Sequence, residues 1–313
     1  MSMTKRDWQS ITLSAVLLAV AACLPLTGDA YMLSVGITIA MYAVLATSWA
    51  LFSGPTHYIS LATAAFFGLG TYTTAIGIEN GLNYWVTLPI AAILGAVLAA
   101  LVGLATLRLS GVYFVIFTLG LAELVRQVVT WGQNVSGQKG LYVLTDITEV
   151  HIYWQLLALS GIVYLTGWAI GRSRLGFALR IIGDDEEVAR HSGINTSRAK
   201  ILLFMVSGAT AAVVGSMLAP RYIYIEPALA FTPMLSFLVV IMALLGGTGR
   251  LWGALVGVIP FTLLWEAISA SFPNQTTLLL GLSFLVIVYL LPRGFVGLIE
   301  SGKRKLRERE AFA

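Results

Sequence analysis

The chain has 313 residues, of which 19 are Lys or Arg and 15 are Asp or Glu; charged residues make up 11% and the AVILMFWYC set 58%. An ordinary soluble domain carries roughly 25% charged residues, so a soluble fold of this length could not cover its surface, and a disordered chain needs the opposite balance. With a mean hydropathy of +0.86, and because only internally hydrogen-bonded helices or closed barrels span lipid, the chain reads as an all-α polytopic membrane protein.

A transmembrane helix needs about 20 apolar residues. In chain order, apolar stretches fall at about 10–26, 31–52, 57–78, 84–107, 109–130, 151–171, 201–219, 234–249, 251–270 and 275–292. They predict about ten transmembrane helices in a single transmembrane domain over residues 1–313. At the front, Lys5-Arg6, an apolar run and Val20-Ala21-Ala22-Cys23 resemble a lipoprotein signal. A retained first helix with an incidental cysteine is the expectation, and cleavage before Cys23 would leave the remaining topology unchanged.

Gly54-Pro55 divides the charge-free run from Ala30 to Ile78, which is too long for one crossing. The span that follows is dense in small and hydroxyl residues. Close helix packing accounts for such composition. An interrupted span is also how transporters place a path at mid-membrane, which makes Ser60, Thr63, Phe67 and Thr71 candidates for a translocation path. Gly68 and Gly70 do not make a dinucleotide fingerprint, because Thr73 stands where the third glycine is needed.

Glu123 and Arg126 interrupt the fifth span. Ionisable residues at that depth face the bundle interior and need partners, and their i,i+3 spacing lets them pair with each other. A structural pair is the first reading. The second is a translocation path, since the ammonium and carboxylate of a zwitterion would match both charges. Gly246-Gly247-Thr248-Gly249-Arg250 separates the eighth and ninth spans as a tight turn between apolar segments, not a phosphate-binding nest. Glu266, beside Trp265, lies near the outer end of the ninth span at an interfacial depth.

Orientation follows from parity. The basic segments are Lys5-Arg6, the loop 172–200 and the tail 293–313, all expected in the cytoplasm by the positive-inside rule. Six predicted spans separate the first two and four separate the last two. Even counts put all three on one side, so both termini are cytoplasmic. Arg108 and Arg250 then also fall inside, for 16 of the 19 basic residues, leaving Lys139 and Arg221 outside and Arg126 within a span. The net charge of +4 is thereby explained by topology, and no nucleic-acid partner is expected. The tail, with Lys303 through Glu310, reads as a solvated end attracted to membrane lipid.

Residues 172–200 form the one long cytoplasmic loop and hold 10 of the 34 charges. Leu175, Ala178, Leu179 and Ile182 fall on one helical face with Arg180 off it. Gly183 is expected to stop that helix and Asp184 to cap the next, whose positive N-terminal end suits Asp185, Glu186 and Glu187. Gly193 fits the position just past its C-terminus. Two short helices of this kind make a compact docking surface; a solvated connector is the plainer reading.

Glu187-Val188-Ala189-Arg190-His191-Ser192-Gly193 resembles the EAA-type loop of ABC importer permeases, with Val188 in place of the usual alanine. The longer string Arg172-Ser173-Arg174-Leu175-Gly176-Phe177-Ala178-Leu179-Arg180, then Asp185-Glu186, Ala189-Arg190 and Gly193-Ile194-Asn195, is similar to the permeases of branched-chain amino acid ABC transporters, LivM type. Leu107 through Phe114 with Thr118-Leu119-Gly120 and Glu123 to Arg126, Ile59-Ser60-Leu61 with Ala64 to Tyr72, and Leu245 to Gly249 match as well, over about residues 30–295.

That resemblance implies a non-catalytic permease subunit in the bacterial inner membrane. It implies a second permease, two cytoplasmic ATPase subunits and a periplasmic or other extracytoplasmic substrate-binding protein. Coupling to the ATPases then falls to Arg180, Asp184, Asp185, Glu186, Glu187, Ala189 and Gly193. The Gly302-Lys303 pair is followed by Arg304 where a phosphate-binding P-loop needs Ser or Thr, so ATP hydrolysis is expected of a separate subunit. Three scattered histidines and one cysteine predict no metal site or cofactor. The competing class is a stand-alone secondary transporter or channel, which needs no docking loop. An intramembrane enzyme is third, for want of any catalytic constellation.

Overall fold

The structure is a computed structural model that describes residues 21–106, 111–137, 140–248, 252–290, 294, 295 and 297. Most of the predicted first span, the tail 298–313, and Arg108, Lys139 and Arg250 lie outside the described residues. After a 3-10 turn at Leu24–Thr27 come α1 (Ala30–Thr56), α2 (Thr63–Glu79), α3 (Tyr84–Thr106), α4 (Val112–Ser136), β1 (Leu141–Tyr142), α5 (Glu149–Arg172), α6 (Arg174–Asp184) and α7 (Glu186–His191). They are followed by α8 (Thr196–Tyr222), β2 (Tyr224–Ile225), α9 (Pro227–Ala230), α10 (Pro233–Gly246), α11 (Gly253–Ser271) and α12 (Thr276–Leu290).

Among the described residues, seven helical segments are long and apolar enough to cross a membrane: α1, α3, α4, α5, α8, Pro227–Gly246 and α11. Two further predicted spans are helical but shorter, α2 with 17 residues and α12 with 15. For α2 the reason is visible. At 1.5 Å per residue it covers about 26 Å, and the irregular segment 57–62 precedes it inside the bundle.

The predicted break at Gly54-Pro55 is present, displaced by two residues. Asp29 starts α1 by accepting hydrogen bonds from the Tyr31 and Met32 amides at 2.9 and 3.4 Å. The helix runs through Pro55 to Thr56 and closes on His57, whose φ of 56° is left-handed. The chain then needs partners for backbone groups that water cannot reach. The Leu61 amide donates to Thr118 Oγ1 at 3.0 Å and the Ala64 amide to Ser236 Oγ at 2.9 Å. Hydroxyls from α4 and α10 thus complete the start of α2.

Helix α1 is the axis of the bundle: α5, α8, α10 and α11 pack around it, and α8 also lies against α2 and α3. Lipid tails are as apolar as leucine, so burial alone does not hold such helices together; close backbone approach does. A Cβ at Gly70 would stand 1.8 Å from Ala212 O, and one at Gly215 2.0 Å from Phe67 O. At one end, β1 and β2 pair antiparallel, Leu141 with Ile225 and Tyr142 with Tyr224. Arg221 Nη2 donates to Ser34 Oγ there at 2.6 Å, and Tyr31 to Glu266 at 3.2 Å. The opposite end carries α6 and α7. Helix α4 touches its neighbours chiefly through α2 and leaves much of its surface uncovered.

Candidate functional site

The connector from α5 to α8 folds as two capped helices. Ser173 caps α6 by accepting from the Gly176 amide at 3.3 Å. Leu179 and Ile182 are buried on its inner face and Arg180 is exposed, as the apolar spacing predicts. Two expectations are corrected. Gly183 does not stop α6; it lies inside the last turn, where a Cβ would come 3.0 Å from Pro55 O, so its function is close approach to the end of α1. Asp184 ends α6, and Asp185 is the cap of α7, accepting from the Glu187 and Val188 amides at 2.8 and 3.2 Å. Two adjacent aspartates meet the same local rule, and the extended backbone at Asp185 decides between them.

Past α7, Gly193 adopts φ +79°, the left-handed position expected for it. Its amide donates to Arg190 O and that of Ile194 to Ala189 O, at 3.0 and 3.1 Å. These paired bonds close the helix as a Schellman motif. Asn195 caps α8 through the Arg198 amide at 3.0 Å.

Inside this connector the predicted coupling residues divide by role. Ala189 is buried, and Glu186 is bonded to Lys200 Nζ at 2.5 Å and Arg190 Nη2 at 2.8 Å. Burial pushes the Glu186 carboxyl up, but the Lys200 and Arg190 bonds outweigh it and leave its pKa below the ordinary 4.5. Arg180, Asp184 and Glu187 are exposed. Beside them stand two large apolar side chains that sequence reasoning left without a role, Phe177 at 66% exposure and Val188 at 53%. For Phe177 a signal was available, because it falls off the apolar face set by Leu175, Ala178, Leu179 and Ile182; Val188 has none in its short helix. Behind α6 lies a cavity of about 530 Å³ lined by Gly54, His57, Gly171, Arg180, Asp184 and Thr248, among others.

The second cluster is on α4. Arg126 donates from Nε to Glu123 Oε2 at 2.8 Å and from Nη2 to Oε1 at 2.5 Å, and Gln127 adds a bond to Oε1 at 2.8 Å. The pair expected from the spacing is formed. It sits near the middle of α4 on a largely exposed face, with Glu123 at 47% and Arg126 at 33% side-chain exposure, between the exposed Ile116 and Phe117 on one side and Val128 and Trp131 on the other. Ser60, Thr63, Phe67 and Thr71 are elsewhere, all buried within the bundle. Ser60 O accepts from Trp49 Nε1 at 2.7 Å, and Thr71 Oγ1 donates to Phe67 O and Gly215 O at 3.0 and 3.2 Å. The structure does not bring these four to the uncovered face of α4.

A bundle of seven candidate spans with its helical connector at one end defines the chain as a multi-pass membrane protein. Residues 31–291 match the family described as branched-chain amino acid transport system / permease component, and the chain belongs to that family. It is accordingly a non-catalytic permease component of an ATP-binding cassette importer, a class that works with ATPase and binding-protein partners. It is 27% identical over 290 residues to the high-affinity branched-chain amino acid transport system permease protein LivM of Escherichia coli (strain K12), covering 82% of this chain and 68% of that one. It is 30% identical over 167 residues to LivH of the same strain, 53% of each chain. It is 25% identical over 209 residues to the autoinducer 2 import system permease protein LsrC of Enterobacter sp. (strain 638), covering 64% of this chain and 61% of that one.

Proposed function

We propose that this chain is the permease subunit of an importer for branched-chain amino acids or related small solutes in the bacterial inner membrane. The whole chain acts as one transmembrane domain with both termini in the cytoplasm. The coupling loop 172–200 meets the ATPase, and the basic tail 293–313 is a cytoplasmic, solvated end attracted to lipid. The observation that carries the reading is the connector. Caps at both ends hold α6 and α7 in fixed geometry while Phe177, Glu187 and Val188 are left exposed, and Arg180 and Asp184, also exposed, border the cavity behind α6. Exposed apolar side chains rimmed by charges are what a protein partner covers. With the basic residues inside, that surface faces the cytoplasm, where the ATPase subunits are. The opposite end, with the β1–β2 ribbon, then meets the binding protein.

The test is a cross-link. With Cys23, the single cysteine, replaced by serine, Val188→Cys is expected to join to the ATPase subunit under mild oxidation when paired with cysteines scanned across its membrane-facing surface. Absence of any product at every position, in a complex that still transports, rejects this docking surface.

The uncovered α4 face supports a route shared with a second permease. Each charge placed at mid-membrane costs about 2.5–3.5 kcal/mol on insertion scales, so Glu123 and Arg126 belong against another protein chain or water, not lipid. Their opposite signs suit the ammonium and carboxylate of a zwitterion. Glu123→Gln is expected to leave assembly intact and abolish uptake. Loss of the protein from the membrane would instead assign the pair to structure alone. LivM and LsrC relatives are named for different solutes, and the bound ligand of the cognate binding protein identifies the one carried here.

A further inference from the structure

Among the described residues, Lys200 is the only charged residue that is buried, at 1% exposure. It lies in the first turns of α8. Its ammonium bonds Glu186 of α7 at 2.5 Å and sits 4.2 Å from the centre of the Tyr58 ring. Tyr58 belongs to the irregular segment between α1 and α2, and its ring meets Phe114 of α4 edge-on at 5.2 Å. Three residues beyond Tyr58, the Leu61 amide is bonded to Thr118 Oγ1, again on α4. One buried cation therefore stands between α7 and the segment that is anchored twice to the helix bearing Glu123 and Arg126.

A buried ammonium is costly unless it is paired, and the pair adds little stability over apolar residues of the same size. Cation–π contact with Tyr58 recovers part of the cost. What the arrangement does supply is directional constraint. If α7 moves, Glu186 moves with it, and Lys200 has to follow or be left without its carboxylate; the Tyr58 ring on its other side then shifts against Phe114.

We infer that Lys200 is the joint that passes displacement of α7 to α4, a positioning residue for transport coupling and not a docking contact. This rests on the reading of α6 and α7 as the ATPase-docking element. Spatial intermediacy alone is not coupling, so the test measures coupling.

The complete transporter, with its second permease and ATPase subunits, is reconstituted in liposomes with the binding protein. Three quantities are read: ATPase retained on purification, ATP hydrolysis, and solute taken up per ATP. Lys200→Met is expected to retain the ATPase and to lower uptake per ATP about tenfold, within the roughly 5–150-fold span of site-to-site coupling. Tyr58→Leu is expected to act in the same direction. Lys200→Arg is expected to keep most of the coupling, because a guanidinium both pairs with carboxylate and stacks on an aromatic ring. Glu186→Gln combined with Lys200→Met removes both charges and guards against failure to fold.

Unchanged uptake per ATP in Lys200→Met overturns the inference. So does a loss that follows protein abundance in both the single and the double variant, which leaves Lys200 a structural role only. Failure of the Val188→Cys cross-link rejects the docking surface itself. A sound cross-link with unaltered coupling rejects the joint alone.

Discussion

Gly215→Leu is expected to abolish accumulation of folded protein. A Cβ at this position would stand 2.0 Å from Phe67 O and 3.0 Å from Thr71 Oγ1, and the first of these is backbone in the second turn of α2. The helices α2 and α8 would have to separate, breaking the Thr71 Oγ1 bond to Gly215 O and the neighbouring bond between Thr74 and Ser216. Overpacking a core costs about 1–3 kcal/mol even where side chains can give, and backbone cannot, so the penalty exceeds about 3 kcal/mol. Gly215→Ala already destabilises. Gly281 of α12 has nothing within 4 Å of an added Cβ, so Gly281→Ala is the neutral control. Size-exclusion profiles and melting temperatures in detergent measure the contrast; equal behaviour of Gly215→Ala and Gly281→Ala would remove the backbone contact from the account.

Gly193→Pro is expected to lower uptake at least about tenfold while the chain still inserts. The left-handed φ of +79° is closed to proline, and the amide that bonds Arg190 O at 3.0 Å is lost. Both effects fall on the turn that fixes α7 against α8. The spans lie elsewhere, so insertion survives while α7 changes direction and with it the surface offered to the ATPase. Glu187→Ala acts on the same surface without touching the turn, because Glu187 is exposed and its amide, not its carboxylate, serves the Asp185 cap. Its expected effect is smaller. Membrane fractionation and solute uptake in cells lacking the native permease check both variants. Normal uptake in Gly193→Pro would separate α7 geometry from transport.

Much of this was legible without coordinates. The break after Gly54-Pro55, the pairing of Glu123 with Arg126 and the left-handed turn at Gly193 each depend on a few neighbouring residues, and local rules suffice for such features. The cap of α7 was placed one residue early because Asp184 and Asp185 offer the same carboxylate. Only the path of the backbone out of α6 distinguishes them. Phe177 and Val188 lie inside the strings that carry the family resemblance; the helical spacing already puts Phe177 off the apolar face, whereas Val188 is distinguished only by its exposure. Lys200 looked like one more basic residue at a loop end; its burial between Glu186 and Tyr58 joins positions 142 residues apart and has no local signature.

The path candidates show the deeper limit. Ser60, Thr63, Phe67 and Thr71 share the small and hydroxyl composition that serves both close packing and a polar route. In a soluble helix an apolar stripe tells inside from outside. In a membrane both lipid and core accept the same side chains, so the pattern along α1, α2 or α4 does not say which face is covered. By itself the sequence determined the class, the positions of most spans, the short helices of the connector and the family, because hydropathy, charge placement and capping are written residue by residue. The tertiary structure decided which small residues are sealed between helices, that the face of α4 with Glu123 and Arg126 is left open, and that Lys200 ties α7 to Tyr58. Each of these depends on contacts between distant segments, where packing chooses among residues that look alike along the chain.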